Sequence, residues 1–330
     1  MRSAFEVLKP GLETAVQELP GRIGFWEQGF PPSGPMDMWS FRLANLLVGN
    51  DRDTAALECQ LLGPALRFAD DRLIAVTGAD MKPELDGEPV PLWRTIPVRA
   101  GQRLELSAAR QGMRAYIAIS GGIATAPVLG SRATFHMAGV GGMDGYALKP
   151  GQSVPLGASR PSSARFHVPA EKRPQFAAGK RWPIECVPGP NDDWLAPQSV
   201  EMFFASDWKV QPRSNRTGMR LTGPAFTFAP RATDKRPEHG QDPSNILDHG
   251  YPLGAVNLAG QTPIVLVNDA PSTGGFINPF TVASAAFWKL GQAQPNEILN
   301  FRKVTVEEAQ ELRRALERMT TAAALAPAGA

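Results

Sequence analysis

Glycine and proline interrupt this chain so often that long regular elements have little room in it. It carries 32 Gly and 31 Pro in 330 residues. Proline removes a backbone donor and ends helices, and glycine marks turns and close backbone approaches. Between these breaks lie short β-branched or alternating runs: "RLIAVTG" at 72–78, "RAYIAIS" at 114–120 and "PIVLVND" at 263–269. Runs of that length and composition read as strands. In "ELDGEPVPLW", Asp86-Gly87 stands between apolar flanks, a strong hairpin signal. The pattern predicts a mainly β fold, a β-rich α+β arrangement with a few peripheral helices.

Three segments keep helical spacing. In "DMWSFRLANLLVGN", Asp37 is placed to cap a helix, Met38, Phe41, Asn45 and Val48 share a face, and Gly49-Asn50 closes it. A second candidate is "TVASAAFWKLG" at 281–291. In the third, Thr305 and Glu308 form a capping box ahead of Ala309, Leu312, Leu316 and Met319. The closing "TTAAALAPAGA" reads as a frayed tail.

Length alone gives a prior of about two domains, at roughly 150 residues each. With 43% hydrophobic and 20% charged residues, a sizeable core is available. Residues 157–182 hold Arg160, Arg165, Lys172, Arg173, Lys180 and Arg181 with little periodicity, as a connector would. A basic docking patch for an acidic partner is the alternative. The expected division is an N-terminal β lobe at 1–156, the connector, a C-terminal lobe at 183–304, and a helix with its tail at 305–330. A cleft is expected between the lobes. "LLGPALRF" at 61–68 echoes "LTGPAFTF" at 221–228, and Gly121-Gly122 echoes Gly274-Gly275, as if both lobes followed one β plan.

Several function classes are disfavoured. With 34 basic and 32 acidic residues the net charge is +2, too little excess for nucleic acid as the main partner. Cys59 and Cys186 match no metal or redox spacing and read as buried thiols. The N-terminus is charged and has no apolar signal core, and no run approaches the roughly 18 apolar residues of a membrane span. A cytoplasmic protein is expected.

Four polar constellations remain. "GFPPSGPMD" brings Gly29, Pro31, Pro32, Ser33, Gly34 and Asp37 before the first helix, as a site or as a rigid capped turn. "SGGIATAPVLGSRATF" offers Gly121 and Gly122, whose N–H groups could hold an anion, with Ser120, Ser131, Arg132 and Thr134. It lacks the spacing and lysine of a P-loop. "RSNRTGMRL" offers Asn215, Arg220 and Arg216, a carboxylate clamp or one half of an ion pair. The fourth joins "EHGQDPSNILDHGYPLG" to "NDAPSTGG". It brings His239, Asp242, Asn245, Asp248, His249, Tyr251, Asn268, Asp269, Ser272, Thr273, Gly274 and Gly275. These match no compact metal motif. Asp248 and Asp269 both flank strand-like runs. Facing one pocket, they could hold the N–H groups of a urea-like substrate or take its proton.

These segments, in this order, resemble the allophanate hydrolase subunit 2 family. Its members include the carboxyltransferase-type module of biotin-dependent urea carboxylase in urea amidolyase, the C component of 5-oxoprolinase and the KipA proteins. The resemblance runs over about residues 14 to 304 and rests on "PPSGPMD", "LECQLLGPALRF", "AVTGADM", "YIAISGGI", "LGSRATF", "SNRTGMRL", "DPSNILDHGYPLGAV" and "PIVLVNDAPSTGGF". Three of these, "PPSGPMD", "SNRTGMRL" and "DPSNILDHGYPLGAV", are closer to the urea carboxylase branch. Gln17-Glu18 stands where many members have Gln-Asp.

The resemblance implies lobes of cyclophilin-like β-barrel type and transfer of a carboxyl group from carboxybiotin to a urea, guanidine-like or other amide nitrogen. It implies biotin on a separate carrier protein, because no Met-Lys-Met signature occurs here and Met81-Lys82 stands in another context. A subunit 1 homologue, a biotin carboxylase and the carrier are the implied partners, and little activity is expected of the chain alone. The expected catalytic residues are Asp269, Asp248 and Asn245. Asn215, Arg216, Asn268, Ser272, Thr273, Gly274, Gly275, Ser33, Gly121 and Gly122 are expected to bind substrate or biotin, and no metal is expected. The alternatives are a component of an ATP-dependent 5-oxoprolinase and a KipA-like regulatory binder.

Overall fold

The computed structural model describes residues 3–159 and 164–328, so Arg160 of the connector lies outside the described residues. The chain divides into two compact units. The first comprises Met1–Ile23, Pro32–Phe176 and Leu316–Ala330; the second comprises Gly24–Pro31 and Ala177–Ala315. The main division, between Phe176 and Ala177, falls inside the stretch read as a connector. The short excursion of Gly24–Pro31 and the return at Leu316 carry no signal in composition.

Alternation builds the first unit. Strand Gln111–Ile119 lies in a five-stranded antiparallel sheet, between Ala56–Gln60 and Arg72–Asp80, with Glu13–Gln17 and Ile96–Val98 at the edges. Successive side chains of a strand point to opposite faces. Ala115, Ile117 and Ile119 therefore join Leu57, Ile74 and Val76 in one core. That core is shared with Phe5, Val7, Leu66 and Leu104 from a six-stranded sheet. Tyr116 and Ala118 face the other way, onto Phe41, Leu43, Ala44 and Leu47 of helix Met38–Leu47. Burying each large apolar side chain contributes about 1.5–3 kcal/mol, and a one-residue slip of register would swap the sets that meet the two packed layers.

The second unit contains a closed seven-stranded barrel. Around it run Arg181–Pro188, Phe280–Val282, Ala255–Ala259, Thr262–Leu266, Gly218–Thr222, Trp208–Val210 and Ile298–Lys303. Only the closing pair, Arg181–Pro188 with Ile298–Lys303, is parallel. Phe203, from helix Pro197–Ala205, stacks on Phe280 at 3.8 Å and on Phe301 at 4.4 Å between ring centroids. Trp208 and Phe226 stack beside them at 5.4 Å. A separate two-stranded ribbon pairs Asn245–Gly250 with Thr273–Phe276. The fold is thus mainly β. The second unit is a closed barrel, whereas the first is a pair of sheets.

Local signals formed as their chemistry requires. The Ser40 N–H donates to Asp37 Oδ1 at 3.0 Å, so Asp37 is the N-cap. The Glu308 N–H donates to Thr305 Oγ1 at 3.1 Å at the head of helix Val306–Met319. Asp86 and Gly87 both have positive φ, 53° and 88°, and close the hairpin of Glu84–Leu85 with Glu88–Pro89.

Other readings need correction. Residues 281–291 split into strand Phe280–Val282, a 3-10 turn and helix Phe287–Gln292. The tail is not frayed: Ala326–Pro327 pairs with Phe166–His167, and Ala324 is buried. The echoed segments differ in structure. Ala65–Phe68 is a strand, whereas "AFTF" at 225–228 follows the end of strand Gly218–Thr222. Gly121-Gly122 forms a turn after a strand, while Gly274-Gly275 lies inside one. Connector cations serve the fold. Lys172 donates to the Ala323 carbonyl, Arg173 to the Val168 carbonyl, and Arg181 pairs with Asp207 at 2.6 Å. Both cysteines are buried and free; burial pushes the Cys59 thiol up to about 12 and raises that of Cys186 further.

Candidate active site

The barrel strand Thr262–Leu266 delivers the chain to Val267, and a turn at Asn268–Ala270 leads into the ribbon. Asp269 does not open onto solvent. Its carboxylate accepts from Arg216 Nε at 2.9 Å and Nη2 at 3.2 Å, a two-pronged ion pair in which the side chains are 4% and 6% exposed. The Asp269 N–H donates to the Arg216 carbonyl at 2.8 Å, so backbone and side chains tie the same two residues together. Both of the open readings of Arg216 thus meet in a carboxylate clamp whose carboxylate belongs to the chain itself. Asn268 is buried beside it.

Asn215 serves the turn before that arginine. Its Oδ1 accepts the N–H groups of Thr217 at 2.9 Å and Gly218 at 3.2 Å, an Asx turn.

Beyond Ala270 the side chains open outward. Thr273 and Asp248 are exposed, and Ser272, Asn245 and His249 are half-buried. The hydroxyls of Ser272 and Thr273 and the carboxylate of Asp248 make no hydrogen bond among the described residues. The two glycines between them are demanded by packing. A Cβ on Gly274 would stand 2.6 Å from the Tyr251 ring, and one on Gly275 would stand 3.0 Å from the Ile246 carbonyl and 3.1 Å from Asp248 Oδ1. Asp248 therefore lies on the Gly275 face of the ribbon, opposite the Tyr251 ring that Gly274 faces.

The ribbon is locked at Phe276. The Phe276 N–H donates to the Tyr251 hydroxyl at 2.6 Å, and that hydroxyl donates back to the Phe276 carbonyl at 3.1 Å. His249 Nε2 meets the same carbonyl at 3.0 Å. Half-burial raises the Tyr251 phenol above its ordinary value and keeps it protonated. Lys235 Nζ, lowered by desolvation, donates to the Asn245 carbonyl at 2.7 Å and to that of Asp242. Asp242 in turn caps Ser244, whose amide and hydroxyl hold its carboxylate below the ordinary range.

A cavity of about 480 Å³ in this unit is lined by Trp194, Arg231, Asp234, Lys235, Arg236 and His239. Arg231 is held there by Asp193, and Lys235 by the two carbonyls just named, so these cations are engaged within the fold.

Ser33, Gly121 and Gly122 belong to the first unit. Their geometry is that of tight packing. Gly121 donates to Asn50 Oδ1 at 2.9 Å and Gly122 to the Ile119 carbonyl at 2.9 Å, so neither amide is left to hold an anion. A Cβ on Gly121 would sit 2.6 Å from the Gly157 carbonyl. Ser33 is buried with φ 58°, beside Gly34, whose N–H donates to Gln17 Oε1 at 3.0 Å. Nearby, the buried Glu58 accepts the Met36 N–H at 2.8 Å and the Tyr116 hydroxyl at 2.7 Å, which sets the Pro31–Asp37 turn on the central strands. Among the described residues no group of three or more His, Cys, Asp or Glu is placed to hold a metal ion. No helix among them is long and apolar enough to cross a membrane.

Comparison with known proteins decides the family. The model of the carboxyltransferase domain, subdomain A and B, matches residues 28–303. The chain belongs to the carboxyltransferase domain family. Urea amidolyase of Saccharomyces cerevisiae is 39% identical over 317 residues, covering 94% of the chain but 17% of that protein. The C component of 5-oxoprolinase from Escherichia coli is 36% identical over 315 residues, covering 95% of each. The crystal structure of Kluyveromyces lactis urea carboxylase superposes with a TM-score of 0.91 at 38% identity, over 97% of the chain and 29% of that structure. The chain therefore spans about a sixth of the urea amidolyase it matches and nearly all of the oxoprolinase component.

Proposed function

We propose that the chain is the carboxyl-transfer component of a biotin-dependent carboxylase acting on urea or a guanidine-like amide. The observation that carries this reading is the ribbon. Asp248 and Thr273 are exposed polar side chains of the ribbon and Ser272 stands just before it; among the described residues the fold engages none of the three side chains, and Tyr251 holds the backbone at Phe276. A urea-type acceptor offers N–H donors and a carbonyl acceptor. Asp248 accepts from the former, and the two hydroxyls donate to the latter. The same donor and acceptor set fits the ureido ring of biotin, which supplies the activated carboxyl group when its carrier docks. Asn245 and the Ser272–Gly275 backbone complete the edge.

In this reading Asp269 and Arg216 build the base of the site and Asp248 faces the acceptor. Prior ordering of the edge lowers the entropic barrier to transfer. Identity to urea amidolyase across 94% of the chain supports the urea branch. Identity of 36% over 315 residues to the C component of 5-oxoprolinase supports the second reading, part of an ATP-dependent amidohydrolase that uses no biotin. The carrier, a biotin carboxylase and a subunit 1 homologue are the partners in the first case, in the cytoplasm.

The two readings separate in one capture experiment. Tagged chain is recovered from native lysate and its partners are blotted with streptavidin and identified by mass spectrometry. The expected result is a biotinylated carrier retained in stoichiometric amount. A retained amidohydrolase partner with no biotinylated band would move the chain to the oxoprolinase reading.

A further inference from the structure

We propose that a cavity on the first unit binds a free α-amino acid with an apolar side chain, its ammonium group held at Glu84 and its carboxylate at Lys82. The cavity measures about 590 Å³, a volume suited to a small molecule, and Lys9, Leu62, Lys82, Glu84, Glu105 and Leu106 are among the residues that line it. All six belong to the first unit, so this site is separate from the ribbon and from the carboxyl-transfer reading.

Strand register builds the acidic wall. In the six-stranded sheet Lys9 stands opposite Ala65, Ala65 opposite Glu105, and Glu105 opposite Glu84. Residues opposite one another in register share a face, so Lys9, Glu105 and Glu84 stand in one row. Two carboxylates placed directly opposite repel. Glu105 is relieved of this by its own cations. Lys9 Nζ donates to its Oε1 at 3.0 Å, and Arg103 pairs with its Oε2. The Lys9 hydrogen bond and the Arg103 charge hold the Glu105 carboxyl below its ordinary range. Glu84 has no such relief: its carboxylate makes no hydrogen bond or ion pair among the described residues. A carboxylate that faces another and lacks a cation is favoured by an incoming ammonium group.

Lys82 supplies the opposite charge. Its φ is 44°, in the left-handed region that a residue with a Cβ rarely adopts. The Lys82 N–H donates to Asp80 Oδ1 at 3.0 Å, which fixes the bend. Its ammonium group is exposed and has no partner among the described residues. Backbone strain of this kind gathers at ligand clamps. Lys82 and Glu84 are thus unpaired, opposite in sign and two residues apart on one cavity wall, a match for the two charges of a zwitterion.

The apolar wall comes from the "LLGP" segment at 61–64. Leu62 is 45% exposed, and Leu106 is buried behind it. A Cβ on Gly63 would stand 2.3 Å from Leu106 Cβ, and one on Gly11 would stand 2.3 Å from the Leu62 carbonyl, so two glycines let these walls close together. An aliphatic side chain laid on Leu62 removes apolar surface from water.

Isothermal titration of the purified chain tests the site. The probes are L-leucine, N-acetyl-L-leucine, which lacks the ammonium charge, and L-leucinamide, which lacks the carboxylate. L-Leucine is expected to bind, and each analogue to bind about 10-fold or more weakly, the scale of one charged contact. Glu84→Gln is expected to weaken L-leucine equally and to cost N-acetyl-L-leucine nothing further. Lys82→Gln is expected to do the same for L-leucine and to cost L-leucinamide nothing further. Melting curves check that both variants fold, and the three probes on the native chain decide the matter if one does not. No binding of L-leucine, equal binding of the three probes, or native affinity for L-leucine in both folded variants would overturn the assignment.

Discussion

Replacing Asp269 by Asn is expected to lower the melting temperature of the second unit by roughly 10 °C. The Arg216 guanidinium is buried, and Asp269 balances its charge through both oxygens. Removing one partner of such a pair leaves an uncompensated charge and costs about 3–5 kcal/mol. For units of this size, each kcal/mol shifts the midpoint by about 2–4 °C. The double variant Asp269→Asn, Arg216→Met removes both charges and is expected to recover most of the loss, because paired removal of a buried ion pair is often neutral. Calorimetry of both variants is the measurement. A single variant that melts like the native chain would mean that water reaches the pair. If Asp269→Asn kept its melt but lost turnover, Asp269 would return as a catalytic group.

The second large effect concerns activity. Gly274→Ala is expected to lower turnover of the assembled complex by about 10²-fold, while Gly275→Ala lowers it far less. The added methyl at 274 meets the Tyr251 ring at 2.6 Å and its hydroxyl at 2.9 Å, so the ring must leave its place. Its two hydrogen bonds to Phe276 go with it, and the ribbon loses the contacts that tie its two strands at that end. A shift of about 1 Å at a site of this kind can cost 10²-fold. At 275 the nearest atoms stand at 3.0 and 3.1 Å, and a few tenths of an ångström of movement suffice. Steady-state turnover of the two variants, with melting curves as controls, gives the comparison. Equal effects at both positions would mean that Tyr251 does not hold the edge.

Much of the fold was legible in the sequence, because its determinants are local. The Asp37 cap, the Thr305 capping box and the Asp86-Gly87 hairpin each depend on residues a few positions apart. What escaped is long-range. Asp269 and Arg216 are 53 residues apart, and nothing in "NDAPSTGG" announces that its carboxylate is already paired. The closing Ala326–Pro327 pairs with Phe166–His167, which turns an apparent tail into a strand. The repeated Leu–Gly–Pro–Ala motif reflects two separate packing constraints. Gly63 leaves room for Leu106 and Gly223 for the face of Trp208. His249 was visible as one polar residue among several, but its contact with the Phe276 carbonyl is made across the ribbon.

Similarity along the chain settles the family, while the proposed acceptor rests on the ribbon edge. Whether that edge receives a urea-type nitrogen is read out by acceptor-dependent fixation of labelled bicarbonate. The chain is combined with its subunit 1 partner, biotin carboxylase, biotinylated carrier and ATP, and label in the acid-stable carboxylated product is counted with urea, guanidine or 5-oxoproline as acceptor. The expected result is fixation that needs this chain and either urea or guanidine, and that 5-oxoproline does not support. ATP cleavage driven by 5-oxoproline without biotinylated carrier, and no label fixed on urea or guanidine, would overturn the assignment of the edge to a urea-type acceptor.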